Sequence, residues 1–453
     1  MTLFDTSKRY AVLGLARSGI AAAQKIRELG GTAFLSDSQS QDKISGTAEL
    51  TQDFECEFGG HSDRLFDYDP WIVSPGIPLD LPILQKARAK GIELINEIEF
   101  GYRIKASDSR IIAVTGSNGK STTVSLIQHI LKNMGYNSIL AGNIGSAFCS
   151  HPIERTGIDF IVLEISSFQL DLIDSFRPDV AVLLNITPDH LNRYASFEDY
   201  AASKFRIFAN QTDDNTAVIC LDSEPVVANQ HLIKARLLRY SLIHTPPDCE
   251  AWLNKDVIQI GLRHKLPVAE LKIRGPHNQA NTMAALLAVD ALTHDLDFAI
   301  HAALGFEPLS HRLEFVAVIN GIFFFNDSKA TNTDSVKSAL TSFDKPIRVI
   351  MGGSDKGEDF EVLTPLLKER AQKVYVTGGT LEKMRAAWEG KVDIAGIEDF
   401  EDCVRAAFAD SVPGDIIVLS PACASFDRFR NYEHRGDFFK ELVHRIRSEY
   451  EKE

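Results

Sequence analysis

The chain has 453 residues, which is too long for a single hydrophobic core and predicts roughly two to four domains, with about three as the working number. Hydrophobic residues make up 44% and charged residues 24% of the chain, and low-complexity tracts are missing, which excludes a mainly disordered protein. The formal charge of -14 opposes nonspecific binding to nucleic acid or anionic lipid, so small-molecule substrates are favoured.

The cysteines and the apolar runs bear on where the protein works. Six cysteines are scattered without a C-x-x-C pair, which is typical of reduced thiols rather than of a disulfide framework. The first residues, "MTLFDTSKRYAVLGL", lack a basic head followed by an apolar core, and no run of about 18 apolar residues occurs. We therefore expect a cytoplasmic protein with no membrane and no nucleic-acid partner.

Residues 1–100 open with "RYAVLGLARSGIAAAQKIRELGGTAFLSD", whose order of strand, glycine turn, helix and strand predicts a βαβ unit. Gly14 and Gly19 fit a dinucleotide fingerprint, but Ala16 replaces its middle glycine and disfavours NAD. The turn then either holds a ligand or only lets the helix pack on the strand. A later turn, "WIVSPGIPLDLP", offers residues 74–76 to an anionic ligand at the carboxyl ends of the strands, unless it is only a proline turn.

The middle segment, residues 101–308, begins with "RIIAVTGSNGKSTTVSLIQHIL", an apolar strand followed by a glycine-bearing turn and a helix. This order is typical of a phosphate-binding loop, although Val114 stands where the usual G-x-x-x-x-G-K-[ST] spacing has its first glycine. The amides of residues 116–120 and the helix N-terminus are suited to phosphate oxygens. Lys120 adds a cation, and Ser121 or Thr122 offers a hydroxyl to Mg²⁺.

Two further strands of this segment lead to ionisable side chains. "DFIVLEISSFQ" places Glu164 at the end of an apolar run, and "VAVLLNITPDHLNRY" places His190 a few residues past another. The carboxyl ends of parallel strands share one edge of a sheet, so both side chains are expected beside the phosphate loop, with Glu164 as a ligand of Mg²⁺. The simpler interpretations are a strand-end acid and a turn histidine.

The helix predicted in "SFEDYAASKFRIF" carries a lysine on its apolar side. Ser196 and Asp199 form a capping-box-like start, and the apolar residues lie within about 60° of Lys204 on the helical wheel. An inward ammonium group is costly, and desolvation lowers the pKa of a lysine, which favours a catalytic or chemically modified side chain. The alternative is a lysine whose long stem reaches water.

The end of the middle segment and the last segment complete the pattern. In "RGPHNQANTMAALLAVDAL", Asn278 and Asn281 share one helix face near its start, where they either bind a base, sugar or phosphate or only cap the helix. Residues 309–453 alternate again, with the strands "GIFFFND", "IRVIMGG", "KVYVTGG" and "DIIVLSPACAS". We expect residues 323–325 to be buried strand, and Arg312 to clamp phosphate or to pair between domains.

A series of motifs along nearly the whole chain resembles the successive signatures of the Mur ligases. In chain order they are "TGSNGKST", "GNIG", "LEISSFQL", "NITPDHLNRY", "AASKFRIF", "GPHNQAN", "HRLE", "NDSKATN" and "SPACASFDRF". The short loop with Val114 is similar to the phosphate loop of this family. "GLARSG", "SPGIP" and "GGSDKG" are most similar to members that add D-glutamate to UDP-N-acetylmuramoyl-L-alanine.

The resemblance implies an α/β fold of three domains. Residues 1–100 would be a Rossmann-like domain that binds the UDP substrate. Residues 101–308 would be a central P-loop ATPase-like domain with a mostly parallel sheet. Residues 309–453 would be a second Rossmann-like domain that binds glutamate.

The resemblance also implies roles for individual residues. ATP would be bound by Gly116, Ser117, Asn118, Gly119, Lys120, Ser121, Thr122, Asn278, Asn281, Arg312, Asp327 and Lys329. The UDP substrate and glutamate would be bound by Ser18, Ser38, Ser74, Gly76, Asn143, His190, Thr331, Lys356, Ser425, Phe426 and Tyr432. Two Mg²⁺ ions would be held by Ser121, Glu164, His190 and Lys204, the last as a carbamate. The catalytic residues would be Lys120, Lys204, His190 and Glu164.

The implied reaction is the ATP-dependent ligation of D-glutamate to UDP-N-acetylmuramoyl-L-alanine, by a monomer, in cytoplasmic peptidoglycan precursor synthesis. It would pass through an acyl phosphate and a tetrahedral intermediate and release ADP and phosphate. The alternatives are a folylpolyglutamate synthase-like enzyme, another amino-acid-adding Mur ligase, and a nucleotide-binding regulator that forms no bond. An N-terminal βαβ module of about 100 residues is a fitting size for a separate substrate domain, which disfavours the folate enzyme.

Overall fold

The computed structural model describes residues 4–44, 47–189 and 193–451. They form two compact units, one made of Met1–Val268 with Ala280–Leu304 and the other of Ala269–Gln279 with Gly305–Glu453. Among the described residues, the first unit contains two sheets and the second unit contains one. Each alternating segment inferred from the sequence thus has its own sheet, whereas the boundaries at residues 100 and 308 stay a prediction.

The first sheet is parallel throughout. Its elements are β1 (Arg9–Leu13), α1 (Arg17–Glu28), β2 (Thr32–Asp37), α2 (Thr47–Asp53), β3 (Glu55–Phe58), β4 (Trp71–Val73), α3 (Pro82–Ala89), β5 (Leu94–Ile95) and α4 (Glu97–Ile104). The strand order is β3-β2-β1-β4-β5. The order reverses direction between β1 and β4, and the crevice at such a point is where open α/β sheets bind ligands.

The second sheet is larger and carries the phosphate loop. Its strands and the helices that follow them in the chain are β6 (Arg110–Thr115), α5 (Lys120–Asn133), β7 (Ser138–Gly142), β8 (Phe160–Glu164), α6 (Ser167–Leu170), β9 (Val180–Leu183), α7 (Phe197–Phe205), β10 (Thr216–Cys220), α8 (Glu224–Asn229), β11 (Arg236–Ser241), β12 (Ala251–Asn254), β13 (Val257–Ile260), β14 (His264–Pro267), α9 (Pro276–Thr293) and α10 (Leu296–Leu304). The strand order is β14-β13-β12-β11-β10-β9-β6-β8-β7, and only the pairings of β13 are antiparallel in the described residues. The strand β6 therefore lies between β8 and β9, whose carboxyl ends flank the loop that follows β6.

The third sheet belongs to the second unit. Its elements are β15 (Glu314–Ile319), β16 (Ile322–Asn326), α11 (Thr333–Leu340), β17 (Ile347–Met351), α12 (Thr364–Arg370), β18 (Ala371–Val376), α13 (Leu381–Trp388), β19 (Ile394–Gly396), α14 (Phe400–Ala409), β20 (Ile416–Leu419) and α15 (Tyr432–Tyr450). The strand order is β15-β16-β20-β17-β18-β19, and β15 pairs with β16 in the antiparallel direction.

Hydrophobic pattern explains most of these elements. Residues 111–114 of β6 are fully buried, as expected for a parallel strand covered on both faces. On α5, Val124, Ile127 and Leu131 are buried on one face, as their spacing predicted. In the described residues, no helix combines the length and the apolar character needed to cross a membrane.

The expectation of a buried phenylalanine run in β16 is wrong at one position. Phe324 is fully buried, but Phe323 is 38% exposed. Successive side chains of a strand point to opposite faces, and Phe323 pairs with Val318 of the antiparallel strand β15, which is also exposed. The face that holds Phe323 is therefore open to solvent.

A buried carboxylate ties α4 to the turn that leads into β9. Glu99 has no exposed side-chain surface and accepts hydrogen bonds from the amides of Asp174, Ser175 and Phe176 at 2.8–3.0 Å. The Nε of Arg103 donates to the same carboxylate at 2.7 Å. Burial alone would raise the pKa of Glu99, but the hydrogen bond that the Ser175 hydroxyl also donates to it, together with the bonds above, outweighs burial and holds the pKa below its ordinary value of 4.5.

We expect Glu99→Gln to lower the free energy of unfolding by about 2–3 kcal/mol, because the amide cannot accept all of these hydrogen bonds. A carboxylate with a lowered pKa stabilises the fold above its ordinary pKa, and this contribution is lost as the pH falls through the folded-state value. The gap between wild type and variant should therefore narrow as the pH drops below 4.5. Urea unfolding from neutral to acidic pH measures it.

Glu93→Gln is the matched control. Glu93 forms an ion pair with the same Arg103 at 2.7 Å, but its side chain is 35% exposed, so the loss should be below about 1 kcal/mol. Equal losses in the two variants would contradict the role assigned to Glu99.

Candidate active site

The turn after β6 has the geometry of a phosphate-binding loop. Val114 is fully buried in the strand, so the loop begins after Thr115 and is shorter than the usual form. Gly119 is the N-cap of α5 and has a left-handed φ of 86°. A Cβ atom at this position would collide with the side-chain oxygen of Asn281 and lie 3.1 Å from Leu184 Cδ1, so only glycine fits.

Asn185 and Thr187, which follow β9, hold the first half of this loop. The amide of Ser117 donates to the carbonyl oxygen of Asn185, and the amide of Asn118 donates to Asn185 Oδ1, both at 2.9 Å. Ser117 Oγ donates to the carbonyl oxygen of Thr187 at 3.0 Å. Two of the amides that the sequence assigned to phosphate are therefore already bonded to protein.

Two lysines converge on one backbone oxygen. Lys120 Nζ donates to the carbonyl oxygen of Gly116 at 2.7 Å, and Lys204 Nζ donates to the same oxygen at 2.9 Å. Lys204 is 2% exposed, which confirms the inward direction predicted from the helical wheel. Burial first, and then the neighbouring Lys120 cation, lower the pKa of Lys204 well below its ordinary value of 10.5.

The ring of Tyr200 supports this pair. Lys204 Nζ lies 4.6 Å from the centroid of the ring, close enough for a cation–π interaction. The Tyr200 hydroxyl shares a hydrogen bond of 2.9 Å with Ser117 Oγ. Tyr200 therefore connects α7 to the phosphate loop, a role that the sequence reasoning missed although the spacing of four residues from Lys204 indicated that both side chains share a face.

Glu164 lies at the end of β8, and only one of its two carboxylate oxygens accepts a hydrogen bond in the part of the chain that the structure describes. The side chain is 3% exposed, and Oε1 accepts a hydrogen bond of 2.8 Å from Asn143 Nδ2. Within the described ranges, Oε2 is buried and has no hydrogen-bond partner. An unpaired buried carboxylate oxygen is costly for the protein alone and is the donor type that Mg²⁺ prefers, so this residue fits a divalent cation.

The remaining metal ligands implied by the resemblance stand differently. Ser121 is 3% exposed at the start of α5. His190 lies outside the described residues. The described part of the chain holds no group of three or more histidines, cysteines and carboxylates that by itself would bind a metal ion.

A cavity of 380 Å³ joins several of these residues in the first unit. Its wall includes Ser18 at the start of α1, Asn143 after β7, and both Lys120 and Lys204. Pro75, from the turn after β4, also lines the cavity. Its neighbours Ser74 and Gly76 are not part of the wall formed by the described residues.

The other residues expected to bind the UDP substrate lie around the same edge of the first sheet. Ser74 is buried and its Oγ donates to the carbonyl oxygen of Gly14 at 2.7 Å, which links the turns after β4 and β1. Ser38, after β2, is exposed.

The second unit has its own polar centre at the carboxyl ends of β16 and β20. Asp327 is 4% exposed, its Oδ2 accepts from Ser420 Oγ at 3.0 Å, and its Oδ1 accepts from the amide of Leu313 at 3.3 Å. Burial raises the pKa of Asp327 to about 7, although Arg312 and the Ser420 hydroxyl oppose the rise. Arg312 Nε is buried and has no hydrogen-bond partner in the portion described.

The residues expected to bind glutamate also lie in the second unit. The ring centroid of Tyr432 lies 5.4 Å from the Nζ of Lys329, which is expected at the nucleotide, and Lys356 Nζ donates to Thr331 Oγ1 at 3.4 Å. Ser425 is buried, whereas Phe426 is 74% exposed.

The two asparagines at the start of α9 differ in their surroundings. Asn278 Nδ2 donates to the carbonyl oxygen of Arg274 at 2.7 Å. Asn281 is 4% exposed.

A buried arginine organises the second unit, and no local sequence signal marks it. Arg435 on α15 is 2% exposed and donates to Ser328 Oγ at 3.0 Å and to the carbonyl oxygens of Ser328, Cys423 and Ala424 at 2.8–3.3 Å. These acceptors are uncharged, and burial lowers the pKa of Arg435 to about 10. The guanidinium group therefore joins the turns after β16 and β20 and leaves a positive charge between them.

Three family models together match most of the chain. They are described as the Mur ligase MurD-like N-terminal domain, over residues 8–96, the Mur ligase middle domain, over residues 114–289, and the Mur ligase glutamate ligase domain, over residues 311–423.

Relatives and solved structures agree with these models. The UDP-N-acetylmuramoylalanine–D-glutamate ligase of Koribacter versatilis is 41% identical over 452 residues, which cover 98% of this chain and 99% of the relative. The enzyme of the same name from Salinibacter ruber is 38% identical, with 96% and 97% covered. The crystal structure of MurF ligase from Thermotoga maritima in complex with ADP has a TM-score of 0.65 at 15% identity, with 98% of this chain and 100% of that chain covered, and so shares the fold.

Titration of Asp327 should destabilise the protein as the pH rises. Between the ordinary pKa of 3.8 and about 7, the folded state holds a proton that the unfolded state has lost, so the free energy of unfolding falls across this window. In the wild type, the free energy of unfolding should fall by about 2–4 kcal/mol over this pH window, and we expect Asp327→Asn to abolish that fall. Urea unfolding of the full chain at both ends of the window measures the difference.

Asp415→Asn serves as the control for this titration. Burial would raise the pKa of Asp415, but hydrogen bonds from the Val412 amide and Arg348 hold it below 3.8, outside the window. An unchanged pH slope in Asp327→Asn would contradict the assignment.

Proposed function

The chain belongs to the Mur ligase family, and on this basis we propose how its residues join D-glutamate to UDP-N-acetylmuramoyl-L-alanine with ATP. It is an ATP-dependent ligase that forms an amide bond in peptidoglycan precursor synthesis, like relatives that match it over nearly their whole length. The observation that carries the assignment of residues is the convergence of Lys120 and Lys204 on Gly116 in a cavity that Asn143 also lines.

The phosphates of ATP would bind at the loop between β6 and α5. Lys120 is the mobile cation of this site, because it donates to the carbonyl oxygens of Gly116 and Ser117, and a phosphate oxygen is a stronger partner than either. The start of a helix favours an anion through its amides and its dipole. The other residues that we assign to the nucleotide are Asn118, Gly119, Ser121, Thr122, Asn278, Asn281, Arg312, Asp327 and Lys329.

Two Mg²⁺ ions are part of this proposal. Glu164 has a buried oxygen to offer, and we assign Ser121, His190 and a carbamate on Lys204 as further ligands. The lowered pKa of Lys204 favours the neutral amine, which is the form that takes up CO₂. Bound Mg²⁺ would neutralise charge on the phosphate oxygens of the nucleotide.

The reaction begins with the L-alanyl carboxylate of the UDP substrate, which we place beside Asn143 and His190. One carboxylate oxygen attacks the γ-phosphorus of ATP, the bond to the β-phosphate breaks, and ADP leaves. Lys120 reduces the repulsion between the two anions by placing a cation next to both. The product of this step is an acyl phosphate.

D-glutamate then completes the bond. Its neutral amine attacks the acyl carbonyl carbon, and the tetrahedral intermediate expels phosphate together with the former carboxylate oxygen while the amine proton passes to solvent. We assign Thr331, Lys356, Ser425, Phe426 and Tyr432 to glutamate. Ser18, Ser38, Ser74 and Gly76 are assigned to the UDP portion of the other substrate.

The alternatives lose ground for a specific reason. A MurD-like N-terminal model matches residues 8–96, which disfavours a folylpolyglutamate synthase and a Mur ligase of another specificity. Relatives that match this chain over nearly their whole length are named ligases, which disfavours a regulator that forms no bond. We also propose that the enzyme acts in the cytoplasm as a monomer.

An assay of product formation tests the function. We expect ADP and phosphate to be released only when both UDP-N-acetylmuramoyl-L-alanine and D-glutamate are present, with L-glutamate a poor replacement. If the acceptor carboxylate is labelled with heavy oxygen, one labelled atom should appear in the released phosphate, because that oxygen leaves with the phosphoryl group. ATP hydrolysis without either substrate, or unlabelled phosphate, would overturn the mechanism.

Lys204→Met should abolish nearly all ligase activity while the protein stays folded. Methionine has a similar length but cannot form a carbamate, and it removes a buried amino group whose desolvation is costly. Activity assays, circular dichroism and a carbon-13 NMR spectrum in labelled bicarbonate measure the outcome, and the carbamate signal of the wild type should be missing from Lys204→Met. Lys132→Ala on the exposed face of α5 is the control and should keep full activity. Full activity of Lys204→Met would remove the carbamate from the proposal.

A further inference from the structure

The side chain of Asn185 forms hydrogen bonds with both backbone groups of a phosphate-loop residue, as a paired β-strand would. Its side-chain Oδ1 accepts from the amide of Asn118 at 2.9 Å, and its Nδ2 donates to the carbonyl oxygen of Asn118 at 3.1 Å. Its own carbonyl oxygen accepts from the amide of Ser117 at 2.9 Å. We propose that Asn185 is a positioning residue for ATP, an inference that rests on the proposed function.

Asn185 is itself fixed on both sides. The amide of Leu184 donates to the carbonyl oxygen of Thr115 at 3.0 Å, which continues the pairing of β9 with β6. The amide of Ile186 donates to Ser223 Oγ at 3.2 Å, and Ile186 is buried. A residue held between two such bonds can transmit the rigidity of the sheet to the loop.

The loop needs an external support of this kind. Gly116 and Gly119 have φ values of 153° and 86°. Glycine adopts such angles easily, but it also has more conformational freedom than other residues, so the loop is ordered only if other contacts hold it. Lys120 also bonds the loop, through the carbonyl oxygens of Gly116 and Ser117, but these bonds are given up when the lysine turns to a phosphate. The bonds from Asn185 go to the backbone of Ser117 and Asn118 and not to Lys120, so they do not have to break when the lysine turns to a phosphate.

The contribution of Asn185 is therefore to nucleotide affinity. A loop that is ordered before ATP arrives does not lose conformational entropy when ATP binds. Glutamate and the UDP substrate depend on other residues in the proposed site. Loss of the amide should then raise the KM for ATP and leave the KM for D-glutamate unchanged, whereas general damage to the fold would change all of them.

The experiment compares three variants of the full chain. Asn185→Ala removes both side-chain bonds, and Asn185→Asp keeps the acceptor for the Asn118 amide but replaces the donor with an oxygen that faces the Asn118 carbonyl. Asn215→Ala is the matched control, since Asn215 Oδ1 accepts from the amide of Thr212 at 3.0 Å in an exposed turn. ADP binding by calorimetry and the KM of each substrate are measured, with circular dichroism as a check of folding.

We expect Asn185→Ala to weaken ADP binding and to raise the KM for ATP by about tenfold, corresponding to the loss of two hydrogen bonds. Asn185→Asp should show a loss of the same kind, and Asn215→Ala should match the wild type. Unchanged ADP affinity in both Asn185 variants, or an equal rise of all KM values, would overturn the inference. If Asn185→Ala does not fold, Asn185→Asp decides. A wild type that binds no ADP would instead contradict the proposed function.

Discussion

The carbonyl oxygen of Gly116 accepts hydrogen bonds from two lysine amino groups, and the rest of the candidate site depends on this arrangement. One acceptor cannot compensate two cations, and one of the two lysines, Lys204, is almost completely buried, which is why its pKa is lowered. The lowered pKa favours a neutral amine at Lys204, so Lys120 is the residue of the pair that offers a cation to phosphate. The Tyr200 ring contacts Lys204, and the carbonyl oxygen of Gly116, just after the buried strand β6, holds both lysines.

Each unit places a buried basic side chain at the carboxyl ends of parallel strands and bonds it to backbone carbonyl groups. Lys204 does so beside β6 in the first unit, and Arg435 does so beside β16 and β20 in the second. A carboxylate partner would neutralise such a charge, but carbonyl dipoles only solvate it. The charge of Arg435 thus meets no carboxylate among these partners, which agrees with an acidic ligand in the second unit.

Local pattern and order in the sequence predicted a large part of the fold and of the site. The apolar period of "SFEDYAASKFRIF" predicted that Lys204 points inward. The position of Glu164 at the end of a strand predicted that it lies beside the phosphate loop, since parallel strands align their carboxyl ends. The same reasoning could not predict Asn185 or Arg435, because their partners lie 67 and 107 residues away and neither side chain is distinctive within its motif. Phe323 was misjudged for a related reason, since its exposure depends on which strand lies beside β16.

The hydrogen bonds of Lys120 also determine which inhibitors of the cavity can bind tightly. A compound that captures Lys120 first has to release it from the carbonyl oxygens of Gly116 and Ser117, so a singly charged head group gains little. A head group with two negative charges would bond Lys120 and also interact with the positive end of the α5 dipole, which begins at Lys120. Potency is then expected to rise steeply from the first to the second charge, which gives medicinal chemists a simple rule for choosing head groups.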